Sequence, residues 1–348
     1  MLPITRSIVV DPSSVHYLEN KLFDICNSTL NRDGTLLPFH RLHVALQAQG
    51  ISINTVDLLL QDKISAQSHD YYSLGMLANI PALEAREDIV FKGFQIMEPP
   101  IVAPELYAVL PKLTRLFEKV YVHNTIGDGY SLTGVDQSKL RKLYWPQPNV
   151  GVIEPYWSNS DRMKRVVVIN GNHKPKMRRA ELYSKRIEAM VALANLGVVD
   201  LYGRGWERWW SRNSQWPPYW LNRKKLMSIY RGECLSKYEV LSKYNFCLCF
   251  ENMEMKGYVT EKIFDCLYAG TIPIYWGATD IDELIPPESY IDVRNFFSWD
   301  SMWKKISNIN ADQINIMRDA GSRFLLSSDF LKYYNSSNYT LGQSAEPP

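Results

Sequence analysis

Between Tyr244 and Gly277 the chain reads YNFCLCFENMEMKGYVTEKIFDCLYAGTIPIYWG, two short apolar runs separated by a loop and a segment with helical spacing. Apolar runs of this length bounded by polar residues read as buried strands, whereas Ile263, Phe264, Leu267 and Tyr268 fall on one face of a 3.6-residue helix. Strands joined through a helix pair in parallel, because the crossover is too long for a hairpin. This stretch therefore commits its part of the chain to a parallel sheet with helices on its faces. The order recurs upstream, where RVVVIN and VVDLYG bracket KMRRAELYSKRIEAMVALANLG, a basic segment that reads as one helix stopped at Gly197. In the first half, SIVVD, GISINTVDLL, DYYSLGML, DIVFKGFQIME and KVYVHN read as strands, and FHRLHVALQAQG and APELYAVLPKLTRLFE as helices.

The expected class is α/β. A Pro-, Asn- and aromatic-rich stretch, WPQPNVGVIEPYWSNSD, reads as a crossover between two domains, 1–157 and 158–348, the second ending in a polar tail from about Ser327. With 348 residues, of which 46% are hydrophobic and 22% charged, the chain is long enough for two separate cores. A net charge of +2 is too mild for a surface devoted to nucleic acid, so any polyanion site must be a local pocket. Five cysteines are an odd number, and Cys247, Cys249 and Cys266 lie in apolar runs, which suggests reduced thiols. No window approaches the roughly 20 apolar residues of a membrane span. The expected setting is the cytoplasm, with peripheral contact at the inner face of a membrane as the alternative.

One detail resists a purely structural reading. Thr260 suits a helix N-cap and Gly270 the residue past the helix end, yet Lys262 places a cation in the first turn. There it costs roughly 0.3–1 kcal/mol against the helix dipole. A charge-assisted hydrogen bond to a phosphate returns roughly 1.5–3 kcal/mol. In open α/β sheets ligands gather beyond the carboxyl ends of strands, where Glu251, Asn252, Tyr258, Glu261 and Lys262 would sit. An anionic ligand would resolve the conflict; a pairing of Lys262 with Glu251 or Glu254 is the structural alternative.

Phe246 to Asn252, Tyr258 to Lys262 and Thr271 to Gly277 together resemble the signature of family 10 glycosyltransferases, the α1,3/α1,4-fucosyltransferases. The resemblance implies a GT-B-like fold of two Rossmann-like domains facing across a cleft, with the C-terminal one holding GDP-fucose. It implies Lys262 on the diphosphate, Glu261 on donor sugar hydroxyls, and Glu251, Asn252 and Tyr258 completing the pocket. RAELY at Arg179 to Tyr183 is similar to a family element whose arginine contacts the diphosphate, with Arg178 and Arg186 as neighbouring alternatives. VFKGFQIMEPP looks like the segment that supplies the general base, which places Glu98 in that role and leaves Glu105 and Glu84 as fallbacks. The expected reaction is inverting transfer of fucose from GDP-fucose to an oligosaccharide hydroxyl, α1,3-type, with a glycan acceptor as the second partner. The alternatives are another nucleotide-sugar donor, or a non-catalytic carbohydrate- or nucleotide-binding protein.

No obligatory metal is expected, a divalent ion being at most stimulatory. Asp280-Ile281-Asp282 resembles the metal-binding Asp-x-Asp of other nucleotide-sugar enzymes, but its setting reads as the acidic first turn of a short helix. His40 and His43 lack a third ligand nearby. Trp206, Trp209, Trp210, Trp216 and Trp220, interleaved with Arg204, Arg208, Arg212, Arg223, Lys224 and Lys225, suit stacked sugars, a base, a membrane surface or simple packing.

Overall fold

The computed structural model describes residues 6–208, Ser211 and 216–341. The chain divides into two compact units, one formed by residues up to Pro148 together with those from Leu331 onward, the other by Asn149–Phe330.

The first unit holds β1 (Arg6–Asp11), β2 (Ser52–Thr55), β3 (Ser68–Ser73), β4 (Ile89–Gln95), β5 (Lys119–Val122) and β6 (Leu140–Lys142). They form one sheet in the order β2-β1-β3-β4-β5-β6, parallel throughout. Side chains alternate between two buried layers. Val9, Tyr71, Phe94 and Val120 pack with Leu106, Leu110 and Leu113 from the helices Pro104–Ala108 and Leu110–Leu116. Ile8, Val10 and Tyr72 point the other way, onto Phe39, Leu42 and Leu46 of the helix Leu37–Ala48. The segment expected as one helix from Ala103 to Glu118 is thus broken in two, because Pro111 has no N–H to continue the ladder. GISINTVDLL also divides, into β2 and the helix Val56–Leu60. At their junction the Thr55 amide donates to Asn20 Oδ1 (2.8 Å) and the Asn20 amide to Thr55 Oγ1 (2.9 Å).

The second unit holds β7 (Met163–Ile169), β8 (Val199–Tyr202), β9 (Tyr244–Phe250), β10 (Ile272–Trp276) and β11 (Ile291–Asp292), in the order β11-β10-β9-β7-β8 and again all parallel. Val166, Val168, Phe246, Leu248 and Ile274 pack in one core with Ile187 and Met190 of the helix Tyr183–Asn195 and Leu226 of the helix Pro217–Ile229. Cys247 and Cys249 occupy the alternate positions, beside Cys266 of the helix Glu261–Ala269, and act as buried packing thiols. The direction in which the chain winds reverses between β7 and β9. Their carboxyl ends therefore splay the following loops apart, which is where such sheets form ligand crevices.

Two boundaries differ from the sequence expectation. The division falls at Pro148 rather than near 157, because residues 149–157 bind into the second unit. Ile153 N–H donates to Tyr268 O (3.0 Å), Tyr268 hydroxyl to Asn149 O (3.1 Å), and Arg318 lies 4.4 Å over the Trp157 ring. The tail expected to trail from the second domain instead returns to the first from Leu331. There Leu341 is buried with the Leu37–Ala48 helix, Tyr333 stacks on Tyr144, and Gln95 donates to Thr340 O (3.0 Å). A few apolar side chains in a polar-looking stretch suffice to dock it.

A buried histidine gives this first unit a pH signature. His69 is 1% exposed, with Nδ1 2.6 Å from Ser7 Oγ and Nε2 3.7 Å from Asp88. Burial lowers its pKa, outweighing the opposing pull of Asp88. A folded value below the unfolded ~6.5 means that the stabilisation is complete above pH ~6.5 and is lost as pH falls through the folded value. Urea midpoints should therefore decline from pH 7 to 5.5, and His69→Gln should flatten that decline. Parallel slopes in the two proteins would show that His69 is not responsible.

Candidate functional site

The site is built where β9 ends. Glu251, with no solvent exposure, continues the pairing with β10 by donating its N–H to Trp276 O (2.8 Å). Its carboxylate turns to the first turn of the helix Glu261–Ala269. Oε1 accepts the Thr260 amide (2.8 Å), the Thr260 hydroxyl lies 2.9 Å from Oε2, and Lys262 Nζ is 2.8 Å from Oε2. Lys262 also donates to Thr260 Oγ1 (2.8 Å). Thr260 occupies the N-cap position, but its hydroxyl does not cap the helix because it is engaged by Glu251. The pairing of Lys262 with Glu251 is therefore what offsets the cation's unfavourable place in the first turn. Glu254 takes a different partner, accepting from Trp276 Nε1 (2.6 Å).

Electrostatics keep this clasp ionised. Burial works against the charge on Lys262, yet Glu251 and Glu261 more than compensate and raise its pKa, so it stays protonated across the neutral range. Burial likewise opposes the charge on Glu261, and Lys262 with Lys237 outweighs it, holding that carboxyl below its ordinary value. Lys262 keeps 21% of its side-chain surface exposed. Of its three N–H groups two are used, and the third has no acceptor among the described residues. Close packing depends on Gly277, where a Cβ would lie 2.5 Å from both Glu251 Cγ and Tyr275 Oη.

The other expected donor-side residues surround this clasp to different degrees. Asn252, next in the chain, accepts the Leu182 amide on its carbonyl (2.9 Å), and its carboxamide has no partner among the described residues. Tyr258 is buried, its carbonyl 3.4 Å from the Tyr275 hydroxyl. Glu261 is 35% exposed, with Lys237 Nζ 3.9 Å away. Arg179 is exposed and makes no ion pair among the described residues. It does not lie on a helix, since residues before Tyr183 run as an irregular strap with Ala180 at φ +51°. That strap is stitched to the site loop by Glu254 N–H to Ala180 O (2.9 Å) and Leu182 N–H to Asn252 O.

Arg186, named only as an alternative from sequence, is the cation packed beneath the site. It is 3% exposed and donates to Phe250 O (2.6 Å), Glu251 O (2.8 Å) and Asn170 Oδ1 (2.6 Å). Asn170 follows β7, and its carbonyl accepts Trp206 Nε1 (2.7 Å). Arg186 thus ties the carboxyl ends of β7 and β9 together at the switch point. The signal was in the sequence: Arg186 shares the helix face of Tyr183, Ile187 and Met190, where a charge is out of place.

In the first unit Glu98 lies just past the carboxyl end of β4, partly buried, with its carbonyl accepting the Tyr107 hydroxyl (3.1 Å). Glu84 is taken by a surface ion pair with Lys112 (2.9 Å), and Glu105 stands exposed in the first turn of Pro104–Ala108. Asp280 accepts the Gly257 amide (2.7 Å) and with Asp282 begins the helix Ile281–Leu284. Among the described residues no cluster of three His, Cys, Asp or Glu could hold a metal. His40 bonds Phe23 O and His43 stacks on the Phe23 ring. Trp206 is core and Trp216 packs against it, while Trp220 is exposed; Trp209, Trp210 and Arg212 lie outside the described residues. No helix among the described residues is long and apolar enough to cross a membrane.

Two parallel α/β units, the second with its winding reversed between β7 and β9, define the class. The fold is that of GT-B glycosyltransferases, shared with a glycosyltransferase of Rickettsia africae (TM-score 0.55, 10% identity, 97% of this chain and 96% of the other). An α1,3-fucosyltransferase structure also shares it (TM-score 0.50, 15% identity, 94% and 83%). Residues 160–318, just under half of the chain, match the C-terminal domain of glycosyltransferase family 10 (fucosyltransferase). An α-(1,3)-fucosyltransferase of Helicobacter pylori is 48% identical over 65 residues, 19% of this chain and 14% of its own length. An α-(1,4)-fucosyltransferase of Arabidopsis thaliana is 36% identical over 74 residues, 21% and 18% respectively. The matched stretches therefore span less than a fifth of these relatives.

Removing the Glu251 carboxylate should expose how much rests on it. Glu251→Ala leaves a half-buried ammonium and two donors without an acceptor, a loss of roughly 3–5 kcal/mol for a broken buried pair. Urea denaturation should show that drop, and the double variant Glu251→Ala, Lys262→Met should recover part of it. Equal midpoints for Glu251→Ala and wild type would mean the clasp contributes nothing to stability.

Proposed function

We propose that the protein is an inverting fucosyltransferase that moves L-fucose from GDP-fucose to a hydroxyl of a glycan acceptor, forming an α1,3-type linkage. The observation that carries this reading is the Glu251–Thr260–Lys262 clasp, with one Lys262 N–H still open, at the switch point of a family 10 domain. The names of the Helicobacter and Arabidopsis relatives support the sugar and leave the linkage between α1,3 and α1,4. Of these two, the α1,3 relative matches at the higher identity, 48% over 65 residues against 36% over 74, which supports the α1,3 linkage in this reading.

In this reading Lys262 donates to the diphosphate, joined by Arg179 from the strap. Glu261 accepts from the fucose hydroxyls, and Glu251, Asn252 and Tyr258 shape the pocket. Glu98, supplied by the first unit, accepts the proton as the acceptor oxygen attacks the anomeric carbon. The bond to the β-phosphate oxygen breaks, its electron pair leaves with GDP, and the cations absorb the charge that develops there. Configuration inverts because attack and departure occur on opposite faces of the sugar. No metal is required in this scheme.

Three measurements test it. Glu98→Gln should lose at least about 10²-fold in kcat while calorimetric GDP affinity barely changes; near-normal turnover would remove Glu98 from the mechanism. Lys262→Met and Arg179→Ala should each weaken GDP binding by about tenfold or more, as expected for one charge-assisted hydrogen bond. Unaltered GDP capture by the double variant would end the reading. Transfer should persist in EDTA, and complete loss restored by Mn²⁺ would count against the metal-free scheme.

A further inference from the structure

Of the tryptophans that the sequence interleaves with cations, Trp206 and Trp216 serve packing, and Trp220 does not. It lies on the helix Pro217–Ile229, which sends Tyr219, Leu226 and Ile229 into the core of the second unit. With successive residues turned by about 100°, the opposite side of the helix carries Pro217, Trp220, Leu221, Lys224 and Ser228, all exposed. Leu221 keeps 83% of its surface in water and Trp220 36%. Lys225 flanks this face on one side and Arg223 on the other, both half-buried.

The charge on this side is uncompensated. No acidic residue lies between Trp216 and Gly232, and among the described residues Arg223, Lys224 and Lys225 bond to no acceptor. Carboxylates on the neighbouring elements are engaged elsewhere. Glu188 takes Lys185 and Trp299, Asp200 takes Arg165 and Arg231, Glu233 takes Arg204, and Glu207 lies against Tyr230. The helix therefore presents apolar surface in its first turns and positive charge in the next, side by side.

We propose that this face docks on an anionic bilayer surface, with Trp220 and Leu221 entering the headgroup region and Arg223, Lys224 and Lys225 meeting lipid phosphates. The combination selects the occupant. A soluble polyanion would satisfy the cations and stack on Trp220, but it offers Leu221 nothing apolar. An anionic bilayer presents both chemistries at one boundary, where indole rings settle and lysine stems span from the apolar to the charged layer. The helix has 13 residues, too few to span a membrane, and its other side is committed to the core, so the contact is peripheral. The inference does not depend on the transfer reaction.

The test is cosedimentation of the full chain with vesicles of phosphatidylglycerol mixed with phosphatidylcholine, and separately of phosphatidylcholine alone. The anionic vesicles should carry the protein down and the neutral ones should not, and added salt should lower the bound fraction. The double variant Lys224→Glu, Lys225→Glu should partition at least about tenfold more weakly, and Trp220→Ser, Leu221→Ser should lose about as much. Urea midpoints of both should stay near wild type; if the serine pair lowers its midpoint, Leu221→Glu, at the most exposed of these positions, decides in its place. The proposal is overturned if the anionic vesicles leave the protein in the supernatant, or if both lipid mixtures bind it equally. It is also overturned if the serine pair binds as wild type does, which would make the face a patch for soluble polyanions.

Discussion

A carboxylate with no exposure sits where β9 hands the chain to its following loop, and three neighbouring pieces of structure lean on it. Through its side chain Glu251 fixes Thr260 and Lys262, and hence the first turn of the Glu261–Ala269 helix. By its backbone it extends the pairing with β10 and receives the Arg186 guanidinium, which also reaches Asn170 beyond β7. A carboxylate in such a position is costly to desolvate, and only a full set of donors offsets that cost. The amide, hydroxyl and ammonium supply them. Gly277 belongs to the same constraint, since no larger residue leaves room for the Glu251 side chain.

The helix that begins at this clasp is also held at its far end. Arg162 donates to Ala269 O (2.6 Å) and to Tyr156 O (2.7 Å), placing a cation at the negative end of the helix dipole. Burial, with a smaller contribution from Arg318, lowers the Arg162 pKa to about 10, which still leaves it charged at neutral pH. Arg318 stacks on Trp157 in the same cluster. The favourable cation thus caps the carboxyl end and the unfavourable one stands at the amino end, paired. A helix fixed at both ends holds its first turn to a single orientation, which a site built from Glu261 and Lys262 requires.

How much of this was legible in the sequence depended on the range of the interaction. The clasp spans few residues, from Glu251 to Lys262, and its apolar periodicity and polar punctuation are local, so strand, loop and helix were all readable. Each strand named in the first half also exists, apart from the division of GISINTVDLL. What failed to show was non-local. The residues 149–157 looked like a linker because their partners, Tyr268, Leu325 and Arg318, lie more than a hundred residues away. The tail looked peripheral because the side chains that dock it, Tyr333, Tyr334 and Leu341 among them, are scattered through a polar stretch and meet partners far away in the chain. Arg179 looked helical because KMRRAELYSKR has good helix formers, yet the bridge from Glu181 to Met253 and the bonds of Ala180 and Leu182 hold it as a strap. Tertiary hydrogen bonds outweighed local propensity there.

The charge count around the clasp bears on how it would take a diphosphate. Glu251 and Glu261 balance Lys262 and Arg186, so the formed site carries no net excess of positive charge to draw an anion from a distance. Attraction must then come from directed donors at contact range, where a fixed N–H loses little freedom on binding. Lys262 offers one such donor, already oriented by two protein bonds. Arg186 offers its N–H groups to carbonyls instead and serves to position the strand ends. On the proposed reading the cation that tips the balance is therefore Arg179, unpaired among the described residues and carried on a strap hydrogen-bonded to the site loop. A site neutral until that residue engages would favour ligands long enough to reach both donors, which separates a nucleoside diphosphate from inorganic phosphate.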